Sequence, residues 1–262
     1  MPRRTASRAL TDSQRHRVRS VAATQPLRWL ARGWADLWRC PLPGLLHGLV
    51  LAAFGGTLAW LAHAHFWLLA GAFTGFLLVA PIAATGLYAI SRALERDEQP
   101  RLGTALRIWW PDDGRLVLFG VLLAFAGTGW VVTSAALVTG FAPGPIHRPE
   151  DFLRLVVAAD RGWLFEAWLL LGALLAAPVY ASSVVAIPLL LDRRIGVLAA
   201  VLTSWRTVLE NPVPMALWAV LLVALTLVAM LPALLGLVLV APWLAHASWH
   251  AYRDLVQPPA DD

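Results

Sequence analysis

Two long stretches without a charged side chain constrain the fold of this chain more than any other feature. Residues 40–91 and 211–252 hold fifty-two and forty-two positions, respectively, without Asp, Glu, Lys or Arg. Because a bilayer core needs about 20 apolar residues per helix, each stretch can supply two transmembrane helices. Only 14% of all residues are charged, whereas soluble domains carry roughly 25%. The chain is therefore predicted to be an all-α integral membrane protein.

The apolar pattern predicts six transmembrane helices, paired as three hairpins. Their expected ranges are about 43–62, 66–90, 116–139, 163–190, 213–231 and 233–251. The last two are short, so a tight turn is expected at Met230, Leu231 and Pro232, with one long re-entrant element as the alternative. An even number of spans places both termini on the same side of the membrane.

The arginine distribution predicts which side that is. Arg148, Arg154 and Arg161 lie in the segment 140–162, which is expected to be the one sizeable outer loop. The other eighteen Arg residues lie in 1–42, 91–115, 192–210 and the tail after 252. Because cytoplasmic loops carry the excess of basic residues, both termini are predicted to be cytoplasmic, in a bacterial inner (plasma) membrane.

The domain organisation follows from these spans. Residues 1–25 are rich in Arg, Ser and Thr with little apolar pattern, which predicts a disordered cytoplasmic tail. Adhesion of this tail to anionic lipid is the alternative. Residues 26–256 are expected to form the six-span membrane domain, and 257–262 a short cytoplasmic tail.

Three short amphipathic segments share the spacing i, i+4, i+7, i+8, which forms one apolar stripe on a helix. They are Leu30, Trp34, Leu37 and Trp38; Leu102, Leu106, Trp109 and Trp110; and Val201, Trp205, Val208 and Leu209. Each is followed closely by a proline, which ends a helix. Trp on the stripe and Arg away from it predict three helices lying in the membrane interface.

The second span of each hairpin repeats an apolar phrase that ends in proline, at Pro81, Pro178 and Pro242. Four residues after each proline stands a polar residue, which is Thr85, Ser182 or His246. The chain is thus interpreted as three repeats of an in-plane helix plus a transmembrane hairpin. The three proline-containing spans are expected to pack around one axis, although such motifs also recur by chance in membrane helices.

Three histidines are the candidate cofactor ligands. His246 and His250 lie one helical turn apart in the last span, and His47 lies one turn into the first span at a similar expected depth. Imidazoles on facing helices can hold haem or a transition metal. The alternative is that each neutral imidazole only hydrogen-bonds to a neighbouring helix.

Other candidate sites have weaker patterns. His63 and His65, at the turn between the first two spans, could bind a metal ion or simply be interfacial residues. Glu166 is the only acid inside a predicted span, and intramembrane acids are often functional. An interfacial ion pair with the nearby Arg161 is the alternative for this residue.

Motifs for catalysis are absent from the sequence. The single Cys40 excludes an intrachain disulfide and a cysteine-pair metal site. The sequence also lacks a phosphate-binding glycine loop, a nucleophile elbow and an HExxH motif. We therefore expect no catalytic residues and no obligatory cofactor, with haem or a transition metal at the histidines as the alternative.

Four phrases resemble the bacterial integral membrane family filed as domain of unknown function 2189. They lie at 81–96, 188–193, 211–218 and 246–255, and the resemblance extends over about residues 27–256. Ala245 stands where members of the family tend to have Gly. The family has no established function, although some members carry a label as putative cytochrome c oxidase. An oxidase core needs about six membrane histidines, which this chain does not supply.

The function expected from these observations is that of a non-enzymatic structural or accessory component of a membrane complex. One alternative is a haem- or metal-binding redox or respiratory assembly protein, and another is a small-solute transporter built on the three repeats. The expected partners are the lipid bilayer and either other membrane-complex subunits or further copies of the chain. Nucleic acid is not an expected partner.

Overall fold

A computed structural model describes residues 2–100, 103–104, 114–159 and 162–257. The described residues are mainly α-helical. In chain order the elements are α1 (Pro2–Arg15), β1 (Arg17–Val18), α2 (Gln25–Arg39), α3 (Pro41–Ala62), α4 (Phe66–Ala83), α5 (Thr85–Glu95), α6 (Arg115–Phe141), α7 (Pro149–Phe152) with a π-helical turn (Leu153–Val157), α8 (Leu164–Ser183), α9 (Ala186–Asp192), α10 (Val197–Glu210), α11 (Pro212–Met230), α12 (Leu237–Leu255) and β2 (Val256–Gln257).

The chain divides into two compact units. The first comprises Met1–Ala52, Pro81–Phe119 and Tyr180–Asp262. The second comprises Ala53–Ala80 and Gly120–Val179. All residues of the polar cluster described below belong to the first unit.

Four stretches of helix are long and apolar enough to cross a membrane. They are Pro41–Ala62, Arg115–Phe141, Leu164–Asp192 and Pro212–Met230. A shorter apolar helix covers Phe66–Leu77. The predicted second span is interrupted at Ala84, where α4 ends and α5 begins.

The last predicted span, 233–251, overlaps α12 but begins and ends four residues before it. Helix α12 is more polar than the other spans and is not among these four. From Leu244 to Tyr252, every residue except Ser248 is buried. A helix buried on all sides by protein does not meet lipid there, so its polar side chains can be satisfied by neighbouring helices.

Helix α2 packs along α12 and supplies much of this burial. At Gly33 a Cβ atom would lie 2.4 Å from the backbone nitrogen of Ala247, so only glycine permits this approach. The predicted apolar stripe of α2 is consequently divided between two environments. Leu30 and Leu37 are buried against protein, while Trp34 and Trp38 remain exposed.

Helix α10 buries a polar face and exposes an apolar one. Thr203, Ser204 and Thr207 are fully buried, whereas Leu209 is 70% exposed. Trp205 is also exposed on this outer face. This arrangement is the inverse of a water-soluble surface helix and agrees with the outward stripe expected from the sequence. The second predicted stripe, at 102–110, lies outside the described residues.

The segments that follow the three repeated prolines pack against one another in the first unit. They are α5, α9 and the C-terminal part of α12. After Pro81 and Pro178 the helix is interrupted before the next segment begins, whereas α12 continues without interruption past Pro242. The third copy therefore differs in backbone from the first two.

Helix α1 and strand β1 occupy part of the amino-terminal segment for which a disordered tail is expected from the composition. Helix α1 packs on α10, where Ser13 Oγ lies 3.0 Å from Thr203 Oγ1 and Arg206 donates to the Ser13 carbonyl. Strand β1 pairs antiparallel with β2, with Arg17 opposite Gln257. These hydrogen bonds join the segment to residues that are distant in sequence.

The expected turn between the last two apolar helices is present but longer than predicted. Helix α11 ends at Met230 and α12 begins at Leu237. Ala233 and Leu234 have φ values of 50° and 67°, which is uncommon for residues with a side chain. Gly236 is required by packing, because a Cβ there would lie 2.6 Å from the Ala229 carbonyl oxygen.

The second unit has its own apolar core, formed by Val138, Ile146, Phe152, Val156 and Leu164. Trp168 packs against this core and donates its indole N–H to Ser134 Oγ at 2.6 Å. The predicted outer loop is therefore partly folded, because Ile146, Phe152 and Val156 come from it.

Candidate functional site

A buried carboxylate, Asp36 on α2, is the centre of the polar cluster in the first unit. Its Oδ2 atom accepts a hydrogen bond from Ser91 Oγ at 2.7 Å and lies 2.8 Å from His250 Nε2. Asp36 is only 5% exposed. The cluster therefore joins α2, α5 and α12 through one carboxylate oxygen.

The ionisation of Asp36 follows from these contacts. Burial alone raises the pKa of the carboxyl group. Hydrogen bonds from His250 and Ser91, together with the nearby His250 and His246 imidazoles, outweigh burial and hold the pKa below its ordinary value. Asp36 is consequently a carboxylate at neutral pH and can only accept hydrogen bonds.

The charge on Asp36 determines the tautomer of His246. The single hydroxyl proton of Ser91 is donated to Asp36, so the contact of 2.8 Å between Ser91 Oγ and His246 Nδ1 requires His246 to be the donor. His246 then carries its proton on Nδ1. Its Nε2 atom is left with a free lone pair.

That Nε2 atom is buried, and no described group lies within hydrogen-bond distance of it. It points towards α3, because a Cβ atom at Gly44 would lie 3.8 Å from it. His47 is one turn further along α3. The His47 Nε2 atom is likewise buried, with no hydrogen-bond partner among the described residues.

His250 has a different environment from the other two histidines. Its Nε2 atom is bound to Asp36, while its Nδ1 atom lies 3.8 Å from Glu95 Oε1. Arg253 contacts the other oxygen of Glu95 at 3.1 Å. His250 thus lies between two carboxylates and links the buried part of the cluster to its half-exposed edge.

A second carboxylate on this edge is Asp192 at the end of α9. It accepts a hydrogen bond from Tyr252 at 2.8 Å and lies within 3.9 Å of Arg92, Arg193 and Arg253. These contacts connect α5, α9 and α12. The charged edge is therefore a network rather than a set of separate pairs.

A third carboxylate, Asp254, fastens the start of α2 to the end of α12. Gln25 and Trp29 donate to its Oδ2 atom at 2.7 and 2.8 Å, and Arg32 forms an ion pair with it. Burial raises the pKa of Asp254, but these hydrogen bonds and the Arg32 charge lower it below its ordinary value. Helix α2 is thus held to α12 at both ends.

Reasoning from the sequence identified His246 and His250 but missed Asp36 and Ser91. The sequence feature that could have identified Asp36 is its helical position. It lies on the face of α2 that carries Gly33 and Leu37. An acid on the apolar side of an amphipathic helix requires a buried partner. Ser91 carried no such signal, because nothing in its surrounding sequence separates it from other small polar residues.

The repeated polar positions have three different environments. Thr85 is buried and donates to the Ile82 carbonyl at 2.7 Å. Ser182 accepts a hydrogen bond from the Trp205 indole at 2.9 Å. His246 alone among the three is bound to a side chain that contacts a carboxylate.

The remaining predicted site residues lie in the second unit and are exposed there. His63 Nδ1 lies 2.6 Å from the Trp60 carbonyl oxygen, and His65 is exposed beside it. Glu166 is exposed in the first turn of α8, where a negative charge is favoured by the helix dipole. Its expected partner Arg161 lies outside the described residues. Throughout the part of the chain that the structure describes, no group of three or more His, Cys, Asp or Glu side chains is arranged to hold a metal ion.

Comparison with known proteins identifies one family. Residues 68–192 match the family model described as "Predicted integral membrane protein (DUF2189)". The resemblance inferred from the sequence is thus confirmed over this segment, which ends before the closing phrase at 246–255. Neither a curated protein nor a solved structure matches the chain.

Proposed function

We propose, from the premise that residues 68–192 match this integral membrane family, that the chain is a non-enzymatic structural or accessory component of a membrane complex. The proposed location is the bacterial plasma membrane, with six spans and both termini in the cytoplasm. The bilayer is its first partner, and other membrane subunits or further copies of the chain are its second.

The observation that carries this proposal is that the buried carboxylate of Asp36 joins helices to one another. Both Ser91 and His250 are bound to Asp36, and these bonds tie α2 to α5 and α12. A general acid or base has to reach a substrate proton. In this cluster the hydroxyl group of Ser91 and the imidazole of His250 are both bound to the carboxylate of Asp36, which is the arrangement expected of a structural support.

The proposed topology is supported by the pairing of the terminal segments. Strands β1 and β2 are adjacent and antiparallel, and this pairing supports an even number of membrane crossings with both ends of the domain on the same side. The excess of Arg in the terminal and neighbouring segments favours the cytoplasmic side. The mutual packing of α5, α9 and α12 supports the threefold repeat.

The outward apolar face of α10 supports contact with lipid or with a membrane partner. Leu198, Trp205 and Leu209 are exposed on this helix, although a soluble protein would bury such residues. The buried side of the same helix carries Thr203 and Ser204. In the proposed topology, this helix lies at the cytoplasmic interface of the bilayer.

The size and composition of the native particle test the proposal. Membranes from cells that make the tagged chain at its natural level would be extracted in a mild detergent, separated by native electrophoresis and quantified by mass spectrometry. We expect the chain in a particle with other membrane subunits at fixed stoichiometry. An unrelated six-span protein with the same tag is the matched control. A particle containing a single copy of this chain and lipid would contradict the proposal, and one containing several copies and no other subunit would restrict its partners to further copies of the chain.

A further inference from the structure

We propose that His250 is a pH-sensitive link between three helices, which takes up a proton on Nδ1 and then binds the carboxylates of Asp36 and Glu95 together. The three residues lie on α12, α2 and α5, all within the first unit. The starting point is that both ring nitrogens of His250 face carboxylate oxygens. The link does not depend on the accessory role proposed above, because it concerns only how the chain itself responds to protons.

The proton of neutral His250 lies on Nε2. This atom is 2.8 Å from Asp36 Oδ2, and the Asp36 carboxylate can only accept a hydrogen bond. A neutral imidazole has one N–H group, so its Nδ1 atom is then an acceptor. That atom lies 3.8 Å from Oε1 of Glu95, which is an acceptor as well when ionised. Two acceptors thus face each other, and Nδ1 is buried without a hydrogen bond to any described group.

A second proton on the ring removes this mismatch. A protonated imidazole donates from both nitrogens, so Nδ1 can bind Glu95 while Nε2 stays bound to Asp36. Hydrogen bonds between charged groups are shorter than neutral ones and roughly twice as strong. We therefore expect the distance between Nδ1 and Glu95 Oε1 to shorten to about 2.8 Å. The imidazolium then joins α12 to α2 and α5 at once.

The proton is expected on His250 rather than on His246. The free nitrogen of His246 is Nε2, which is buried beside Gly44 of α3 with no described group within hydrogen-bond distance. A positive charge at that atom loses its hydration without gaining a partner, which is costly. At His250 the same charge lies between two carboxylates. Water can deliver the proton there, because the neighbouring Glu95 and Arg253 side chains are partly exposed.

Two guanidinium groups lie on the other oxygens of these carboxylates. Arg39 of α2 is 3.9 Å from Asp36 Oδ1. Arg253 of α12 is 3.1 Å from Glu95 Oε2. Each carboxylate thus has one oxygen directed at the imidazole and one at an arginine. Arg253 holds Glu95 in place when the imidazole is neutral, and the imidazolium becomes a second partner of Glu95 on protonation.

Three further helices lie against α12. Asp192 of α9 is within 3.9 Å of both Arg92 and Arg253, so its charge is already paired. Helix α11 carries no charged or titratable side chain. Helix α3 carries one titratable side chain, His47. The two carboxylates at the His250 ring are therefore the groups that respond to its charge.

The direction of the pH effect follows from the proton count. With the link formed, the folded state holds one more proton than a state in which the end of α5 has separated from α12. The link is therefore favoured as the pH falls and is lost as the pH rises. Imidazole is the side chain whose charge ordinarily changes between about pH 5 and pH 8. A hydrogen bond between charged groups corresponds to about a tenfold change in the opening equilibrium.

Hydrogen exchange of the full chain in lipid nanodiscs tests this link. We expect the opening equilibrium of the last turn of α5, corrected for the intrinsic effect of pH on exchange, to fall about tenfold from about pH 8 to about pH 5.5. Glu95→Gln should remove this change, because its amide N–H group can donate to neutral Nδ1 at either pH. His250→Gln should also remove it, since glutamine keeps a donor for Asp36 but does not titrate. His63→Gln, in the exposed turn, is the matched control and should respond as the wild type does.

Nitrogen NMR of protein labelled with ¹⁵N-histidine identifies the proton itself. The signal that disappears in His250→Gln is assigned to His250, and its Nδ1 atom should carry a proton at the lower pH and none at the higher one. An unchanged opening equilibrium in the wild type, a tenfold change that persists in Glu95→Gln, or a His250 ring that stays neutral at the lower pH would each overturn the proposal. The composition of the native particle is measured separately, so the accessory role and this link can fail independently.

Discussion

Asp36 and His250 lie 2.8 Å apart across the contact between α2 and α12, at the point where both helices are buried. The carboxylate comes from a helix expected to lie along the membrane interface, and the imidazole from a helix expected to cross the membrane. Their contact fastens an interfacial element to a span, and Ser91 extends the link to α5. The stability of this region should therefore depend strongly on Asp36.

Replacing Asp36 by Asn tests that dependence. The amide carries no charge, so it weakens the charge-assisted bonds with both Ser91 and His250. We expect the free energy of unfolding to fall by about 2 kcal/mol, measured by thermal unfolding in nanodiscs. Glu210→Gln is the control: Glu210 forms an exposed pair with Arg206, so its loss should change stability by less than about 1 kcal/mol. Equal stabilities of the two variants would contradict the central role of Asp36.

Replacing Gly33 by Ala tests the close approach of α2 to α12. The added methyl group would lie 2.4 Å from a backbone nitrogen of α12, which cannot move aside as a flexible side chain could. We expect a loss of about 3 kcal/mol, the upper end of the usual cost of overpacking. Gly56→Ala is the matched control, since nothing lies within 4 Å of its added Cβ atom. It should leave stability unchanged or raise it, and a similar loss in both variants would refute the packing argument.

Cysteine labelling tests the outward apolar face of α10. In a Cys40→Ser background, a cysteine at Leu209 should react rapidly with a membrane-soluble maleimide, because this side chain is 70% exposed. A cysteine at Ala200, which is fully buried on the opposite face, should react slowly in the same membranes. If a water-soluble, membrane-impermeant reagent labels Leu209→Cys in spheroplasts, the proposed position at the cytoplasmic interface is wrong.

The contacts that Asp254 makes with the start of α2 predict a specific dependence of stability on pH. The folded state lowers the pKa of Asp254 below its ordinary value of 3.8, so the folded protein binds fewer protons than the unfolded chain in this range. Its stabilisation is therefore fully present above about pH 4 and is lost as the pH falls through the folded-state pKa. The stability difference between wild type and Asp254→Asn should be large near neutral pH and shrink in acid. A constant difference over both conditions would exclude the charge as its cause.

Reporter fusions test the topology. A fluorescent protein fused after Asp262 should be fluorescent, because it folds in the cytoplasm. Alkaline phosphatase inserted after Gly144, in the predicted outer loop, should be active because it needs an oxidising compartment. The prediction that both terminal segments lie on one side is the one supported by the pairing of β1 with β2. A non-fluorescent fusion after Asp262 or an inactive phosphatase after Gly144 would contradict this arrangement.

Several features of the fold were predictable because they depend on local properties. The apolar stretches predicted the helices that form α3, α6, α8 and α11, since hydropathy over about 20 residues reports on membrane insertion regardless of neighbours. The turn before α12 was predictable from Pro232 and the length of the run. For residues 1–25 the composition predicts a disordered tail, whereas the contacts of α1 with α10 involve residues distant in sequence, which composition does not report.

The candidate site was predictable only in part. Two histidines at i and i+4 must share a helix face, so the proximity of His246 and His250 follows from the helix period. Their partners Asp36 and Ser91 are separated from them by more than 150 residues, and no local pattern encodes such a pairing. The tautomer of His246 depends on that pairing as well, because it follows from the charge of Asp36.

The amino-acid sequence thus established the membrane environment and the approximate apolar helices, since each is set by the hydropathy and charge of nearby residues. The tertiary structure established that α12 is enclosed by protein, that α2 lies against it at Gly33, and that a carboxylate unites three helices. These features arise from contacts between distant segments. There, a glycine that lets two backbones approach, or a single buried charge that needs partners, decides which helices can pack together.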